Sequence, residues 1–317
     1  MLKYVVKRIL QAIPLLFIIS LITFFIINLA PGDPIYMFIN PETANPVDVE
    51  VIRKSLGLDK PIYIRYILWL KNVIQGDFGK SFQHGRPVLE MILERLPNTI
   101  TLAIVSTIIS FLVSIPVGVY SAIKRNSILD YMFSTFAFIG ISIPSFWFGL
   151  MLILLFSLKL GWLPSGGMRA NFEEFDLIDR LRHIILPALV LGMASMASQM
   201  RQMRSAMLEV IRQDYIRTAR SKGLSERVVI FKHALRNALL PIITIIGFII
   251  PWLVSGAVVT ETIFSWPGIG RLYIHATFMR DYPVIMGVTI ISSVMVVVGS
   301  MVADILYALV DPRIKYN

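Results

Sequence analysis

Apolar residues gather into six long runs, 9–30, 99–123, 131–158, 184–200, 238–259 and 284–310, and the segments between them hold nearly all the charge. A bilayer core about 30 Å thick requires about 20 apolar residues of helix to cross it, and these runs are 17 to 28 residues long. Asp304 is the one charged residue inside any of them. Such uncharged runs, without strict alternation, predict membrane-spanning helices and not barrel strands. Lys3, Lys7 and Arg8 precede the first run as in a signal peptide. The run is long for a signal core, however, and Asn28-Leu29-Ala30 before Pro31 is a poor small-x-small cleavage site. It therefore predicts an uncleaved span.

The intervening segments carry helical patterns of their own. In 31–98, Val49, Ile52 and Leu56 recur at helical spacing after Asp48 and before Gly57. Pro61 opens a second stretch containing Tyr63, Tyr66, Ile67, Leu70 and Ile74, closed by Gly76, and a third occupies 88–96 before Pro97. Pro at the start and Gly at the end are the usual helix punctuation. The three predict short amphipathic helices at the outer interface, with Trp69 and the tyrosines at headgroup level. Pro14, Pro116, Pro144, Pro187, Pro241 and Pro251 lie within spans. They imply a packed bundle whose neighbouring helices satisfy the freed carbonyls, with ordinary bends at these positions.

Composition agrees: 56% of the 317 residues are hydrophobic and 16% charged, with a mean hydropathy of +0.72. That leaves too little polar surface for a water-soluble globule. The absence of cysteine excludes disulfides, thiolate metal sites and a cysteine nucleophile.

A net charge of +10 invites a nucleic-acid reading, but topology explains it. With the N-terminus cytoplasmic, the inner segments hold sixteen Lys and Arg, and the outer segments hold six once the long first loop is set aside. The positive-inside rule then places both termini in the cytoplasm. The inner segments carry the whole +10 and the outer ones balance to zero. Nucleic acid is not an expected partner.

Candidate chemistry is sparse. Gly79-Lys80-Ser81 resembles the end of a phosphate-binding loop, yet position 74 is Ile and no strand precedes it. Gly140-Ile141-Ser142-Ile143-Pro144 fails as a nucleophile elbow because it ends in proline within a span. His84, His183, His233 and His275 lack the spacing of a zinc helix, so no metal or catalytic residue is expected. Asp130 and Asp304 should lie at the inner membrane edge, capping a helix or pairing with basic residues. A carrier with so neutral an interior needs an external energy source, and the basic loop 201–237 is the natural place to receive it. There Asp214 can cap a short helix with body 215–222, Gly223 suits a left-handed terminator, and Ser225 can cap a further helix toward Ala238.

Several ordered motifs carry a resemblance. They are Pro31-Gly32-Asp33-Pro34, Leu56-Gly57-Leu58-Asp59-Lys60-Pro61 and Gly76-Asp77-Phe78-Gly79-Lys80-Ser81. They continue with Asp214-Tyr215-Ile216-Arg217-Thr218-Ala219-Arg220-Ser221-Lys222-Gly223-Leu224, His233-Ala234-Leu235-Arg236-Asn237-Ala238-Leu239-Leu240-Pro241, Glu261-Thr262-Ile263-Phe264-Ser265-Trp266-Pro267-Gly268-Ile269-Gly270 and Asp311-Pro312-Arg313-Ile314. Together they resemble the dipeptide/oligopeptide permease family of bacterial ABC importers, in particular the first of its two paired permease subunits.

The resemblance implies an all-α, six-span permease in the bacterial cytoplasmic membrane. An N-terminal region 1–98 would precede a permease core 99–317. The core's loop 201–237 would couple to ATPase subunits through Asp214, Tyr215, Arg217, Thr218, Ala219, Lys222, Gly223 and Leu224. Arg217 stands where the general family pattern has an acidic residue, a departure that weakens transfer of single contacts but not of the docking role. The implied partners are a second permease subunit, two ABC ATPases, an extracytoplasmic peptide-binding protein and membrane lipid. ATP and Mg would belong to the ATPases, and the chain would hold no cofactor. Peptides are the expected cargo, with glutathione or a nickel chelate as family alternatives and an ion-coupled carrier as the rival class.

Overall fold

A computed structural model describes residues 2–29, 35, 45–55, 57–170, 176–242 and 257–310. In chain order the helices are α1 (Leu2–Leu29), α2 (Pro46–Ser55), α3 (Ile62–Ile74), α4 (Val88–Ile123), α5 (Ile128–Ser142) and α6 (Ser145–Leu152). They continue with α7 (Leu177–Ile211), α8 (Asp214–Ser221), α9 (Glu226–Val228), α10 (Leu235–Ala238), α11 (Ile269–Phe278) and α12 (Tyr282–Val310). π-Helical turns extend α6 through Ile153–Lys159 and join α9 to α10 through Val229–Ala234. Residues 257–263 are also helical, and no strand occurs among the described residues.

Among the described residues, four helices have the length and apolarity to cross a bilayer: Arg8–Leu29, Val88–Ile123, Leu177–Ile211 and Tyr282–Val302. α5 and Ser145–Lys159 form a fifth candidate, bent by 109°. The expected span 238–259 falls largely on 243–256, outside the described residues, as do Pro251 and the motif at 311–314.

Two prolines behave differently from expectation. Run 131–158 is no gently bent helix, because it breaks at Pro144. Proline lacks the N–H and forces its predecessor out of the helical region, and Ile143 is extended at φ −76°, ψ 128°. Pro97 does not end a separate helix, since α4 runs through it for 36 residues. Residues on both sides are anchored: Met91 and Ile92 are buried before it, Leu102 after it. Burial of such side chains stabilises by about 1.5–3 kcal/mol each, enough to offset the ~3 kcal/mol cost of an interior proline.

The chain folds as two compact units, Met1–Asn98 with Pro267–Val297, and Thr99–Trp266 with Val298–Asn317. In the first, the expected punctuation of α2 and α3 is present: Gly57 and Gly76 have φ of +65° and +86°, and Pro61 precedes the first turn of α3. α3 packs along α1 and not only above its end. The Tyr66 and Ser20 hydroxyls are 2.9 Å apart. Ser20 already donates to the Phe17 carbonyl, which leaves Tyr66 as the donor to Ser20. Tyr66 also meets Phe24 edge-on at 5.3 Å.

A second fastening ties the loop before α4 to the start of α12. Asp281 is buried and accepts hydrogen bonds from Ser81 Oγ (2.5 Å), Phe82 N (3.0 Å) and Gln83 N (3.3 Å). The hydroxyl of the phosphate-loop-like motif is thus engaged by a carboxylate.

The second unit is organised on α4 and α7. Ser106, Ser110, Ser114, Gly118 and Ala122 recur every fourth residue of α4, and a spacing of four places them on one face. A side chain at Gly192 would sit 2.9 Å from the Ser106 carbonyl oxygen, and one at Gly118 would sit 2.8 Å from the Met200 carbonyl oxygen. Small residues allow this close approach, as in membrane helix pairs generally. Between the glycines, Ser110 and Ser114 both donate to the Gln199 amide oxygen, at 2.8 and 3.2 Å. Numbering rises together along both helices, so α4 and α7 are parallel. α5 runs the opposite way, with Asp130 on Arg204 and Gly140 beside Met193.

Gly118→Val should lower the stability of the purified protein by about 1–3 kcal/mol, the usual cost of overpacking. Leu112→Ala on the exposed face of α4 should leave the thermal midpoint nearly unchanged. Equal midpoints for the two variants would refute the close approach.

Candidate functional site

The charged end of α7 carries the chain from its apolar stretch into the basic loop. α7 continues eleven residues beyond the apolar run, to Ile211. Arg204 makes a two-pronged contact with buried Asp130, Nε to Oδ1 and Nη2 to Oδ2, each at 2.9 Å. Asp130 also accepts from Asn126 N at 3.0 Å, while Ser127 caps α5 by accepting from Asp130 N. Of the two roles expected of it, Asp130 takes the pairing with a basic residue, and Ser127 is the cap. The side chain of Asp304 lies outside the described residues.

α8 folds back on this platform. Its inward residues, Ile216 and Ala219, are three apart and share one face. They join Val119, Ala122, Met203, Met207, Val229, Ile230, Ala234, Ala238 and Ile242 in one apolar cluster. Ile216 is fully buried, contributing about 1.5–3 kcal/mol to holding the short helix down. Asp214 is the first residue of α8 and not its cap; Gln213 occupies the cap position without a side-chain bond. The acid still lies in the first turn, where the helix dipole favours it. Gly223 adopts φ +73°, the predicted left-handed terminator. Ser225 then starts α9, again without a side-chain cap bond.

Of the eight expected residues, Ala219 faces inward, whereas Asp214, Tyr215, Arg217, Thr218, Lys222, Gly223 and Leu224 are exposed. Tyr215 and Leu224 present apolar surface at 42% and 40% exposure, joined by Val228 and Phe231 farther along. The surface therefore mixes apolar knobs with the cations Arg217, Arg220 and Lys222, a composition suited to burial against another protein.

Three supports escaped the sequence pattern. Ile216 anchors the helix. Arg220 bridges the turn to Glu226, with Nε to Oε2 at 3.1 Å and Nη2 to Oε1 at 2.6 Å. Asn237 Nδ2 donates to the Tyr215 hydroxyl at 2.9 Å, tying the start of α8 to α10. The Arg–Glu spacing of six residues across a helix break has no signal in helical periodicity.

His183 is buried with Nδ1 2.8 Å from the Asp179 carbonyl oxygen, while His84 and His275 approach with ring centres 6.2 Å apart. No cluster of three or more metal-ligating side chains occurs among the described residues.

Arg220 holds the Glu226 carboxyl below its ordinary range, through hydrogen bonds first and charge second. A depressed carboxyl pKa means that the pair's contribution is complete above the ordinary carboxylate range and is lost as pH falls through the depressed value. Both groups are largely solvated, so the contribution is under ~1 kcal/mol. Glu226→Gln should speed hydrogen exchange at Gly223 and Leu224 a few-fold at neutral pH. It should also remove the acid-side rise in opening that the native pair shows, and matching exchange profiles would dismiss the strut.

Residues 114–316 match the family described as "Binding-protein-dependent transport system inner membrane component", and residues 1–103 match the family of its N-terminal region. The chain is 51% identical to the oligopeptide transport system permease protein AppB of Bacillus subtilis, over the full length of both. It is 41% identical to the di/tripeptide transport system permease protein DppB of Pseudomonas aeruginosa. It is 40% identical to the glutathione transport system permease protein GsiC of Escherichia coli, and both matches again cover each chain fully. A solved inward-facing structure of the MetNI methionine ABC transporter superimposes with a TM-score of 0.58 at 19% identity, covering 70% of this chain and 97% of that one.

Proposed function

The chain belongs to the binding-protein-dependent transport inner-membrane component family, as a permease subunit of a peptide ABC importer, and we propose from this that α8 is its coupling helix. It is a multi-pass membrane protein. α8 would sit in a groove of an ABC ATPase, and ATP hydrolysed there would drive inward movement of short peptides. The observation that carries the reading is the two-sided construction of α8. Ile216 and Ala219 are sunk into the cluster beneath, while Tyr215, Leu224 and the cations remain outside. A helix so held transmits force instead of merely covering a surface.

The working assembly would contain a second permease subunit, two ATPases and an extracytoplasmic binding protein. Nucleotide and Mg would reside on the ATPases, and this subunit would catalyse nothing. Its relatives handle oligopeptides, di- and tripeptides and glutathione by name, so the shared chemistry is a short amide-bearing solute.

Six crossings with both termini cytoplasmic fit the charge distribution. The parallel α4 and α7 require the chain between them to recross once, which favours reading bent α5–α6 as a broken span. Asp130 lies beside Arg204, and Arg182 Nη2 donates to the Trp162 carbonyl at 2.9 Å. Twenty-two helical residues separate those two arginines, about 33 Å at 1.5 Å per residue.

Two measurements test this. The native chain lacks cysteine, so Lys80→Cys should react with an impermeant thiol reagent added outside sealed cells, and Lys222→Cys should not. The opposite labelling would invert the topology. Gly223→Val meets no neighbour within 4 Å, so its cost is the left-handed backbone, about 1–2 kcal/mol. It should leave membrane insertion intact and reduce cargo-stimulated ATP hydrolysis tenfold or more, whereas Arg217→Glu should be milder. Wild-type coupling in Gly223→Val would end the coupling-helix reading.

A further inference from the structure

A cavity of about 600 Å³ in the first unit is lined by four cationic side chains, Lys54, Lys60, Arg65 and Lys80, and by no acidic one. Lys54 is paired with Glu50 at 2.9 Å. Lys60 and Lys80 are exposed and make no ion pair among the described residues.

The cavity's lining also includes Phe24, Leu68, Trp69 and Met286, all apolar or aromatic. Trp69 Nε1 is buried yet has no hydrogen-bond acceptor among the described residues.

Depth identifies the occupant. Phe24 and Asn28 line the cavity, and the apolar stretch of α1 ends at Leu29. The cavity thus lies along the last six residues of a membrane-crossing helix, about 8 Å, the level at which headgroups meet acyl chains. Beside it, α3 exposes Ile64, Ile67 and Leu68, an apolar surface continuous with Leu68 in the lining. Cations and aromatic side chains in one lining, beside an apolar helix surface, match a phosphate with acyl chains attached.

We propose that this cavity binds the phosphate headgroup of an anionic phospholipid, with its acyl chains lying along α3. Lys60 and Lys80 would neutralise the phosphate. The inference rests on α1 crossing the membrane and is independent of the coupling helix and of cargo identity.

The test uses the assembled importer in phosphatidylcholine nanodiscs doped with phosphatidylglycerol, with retained lipid counted by native mass spectrometry. Phosphatidylglycerol should be retained in preference to phosphatidylcholine. Lys60→Gln combined with Lys80→Gln should weaken retention about thirtyfold, as expected for two lysines near a membrane surface at ~1 kcal/mol each. Lys71→Gln, on α3 but outside the cavity, should change nothing. Unchanged retention in the double lysine variant would overturn the proposal. So would displacement by inorganic phosphate or glycerophosphoglycerol, which would make this a free-anion site, or by short peptides, which would make it a cargo subsite. Cargo-stimulated ATP hydrolysis, read in parallel on Gly223→Val, separates this outcome from the coupling reading.

Discussion

The approach of α4 to α7 sets the geometry of everything that follows in the second unit. Lipid tails are as apolar as leucine, so no hydrophobic drive distinguishes helix contact from lipid contact inside a bilayer. Contact must be won by fit and by hydrogen bonding. Gly118 and Gly192 supply the fit, each leaving the partner's carbonyl oxygen less than 3 Å from where a side chain would begin. Gln199 supplies the bonding by accepting from two serines at once. Model interhelical bonds of this kind contribute about 0.6–2 kcal/mol, and burial makes their loss costlier than their presence is favourable. The pair fixes α7, and α7 in turn carries Arg204 to Asp130 and Met203 and Met207 to the floor beneath α8.

Much of this was legible in the sequence because the governing signals are local. Uninterrupted apolarity announces a span, and Gly223, Gly57 and Gly76 stand where the backbone turns left-handed. Pro144 and Pro97 show where local reading fails. The same residue type breaks one helix and passes through another, and only the anchoring on each side decides which. Asp281 is harder still. Its partners lie about two hundred residues away in sequence, and neither they nor the carboxylate form a recognisable pattern. The serine stripe repeats every fourth residue, but serine in an apolar run reads as tolerated polarity until a partner such as Gln199 is located.

Within the candidate site the division is similar. The exposed residues of α8 could be named from motif and charge, while the features that hold it came only with the fold. Ile216 is one isoleucine among many in this composition, and nothing in a helical wheel of eight residues says which face has a floor under it. Ala219 illustrates the converse, since a motif position expected at the docking surface instead faces the cluster. Its small size lets α8 lie close to the floor formed by the same helices whose serines and glycines bring them together.

That arrangement has a mechanical consequence. Val119 and Ala122 from α4, Met203 and Met207 from α7, and Ile216 and Ala219 from α8 belong to one cluster. Protein interiors pack at crystal-like density and transmit strain instead of absorbing it. On the proposed reading, a displacement of α8 would be passed to α4 and α7 together, because the serine–glutamine contacts and the glycine approach join them. The Asp130–Arg204 pair adds α5 to the moving set. Separating that pair would strand a buried carboxylate at a cost of about 3–5 kcal/mol, so α5 follows α7 up to its C-cap, Ile143. The extended residue there, with Pro144 behind it, is the first point along this path where helical hydrogen bonding is interrupted. On the coupling-helix reading, motion imposed at the basic loop would be carried by these helices as far as Pro144, and the 109° break is where the second unit would flex.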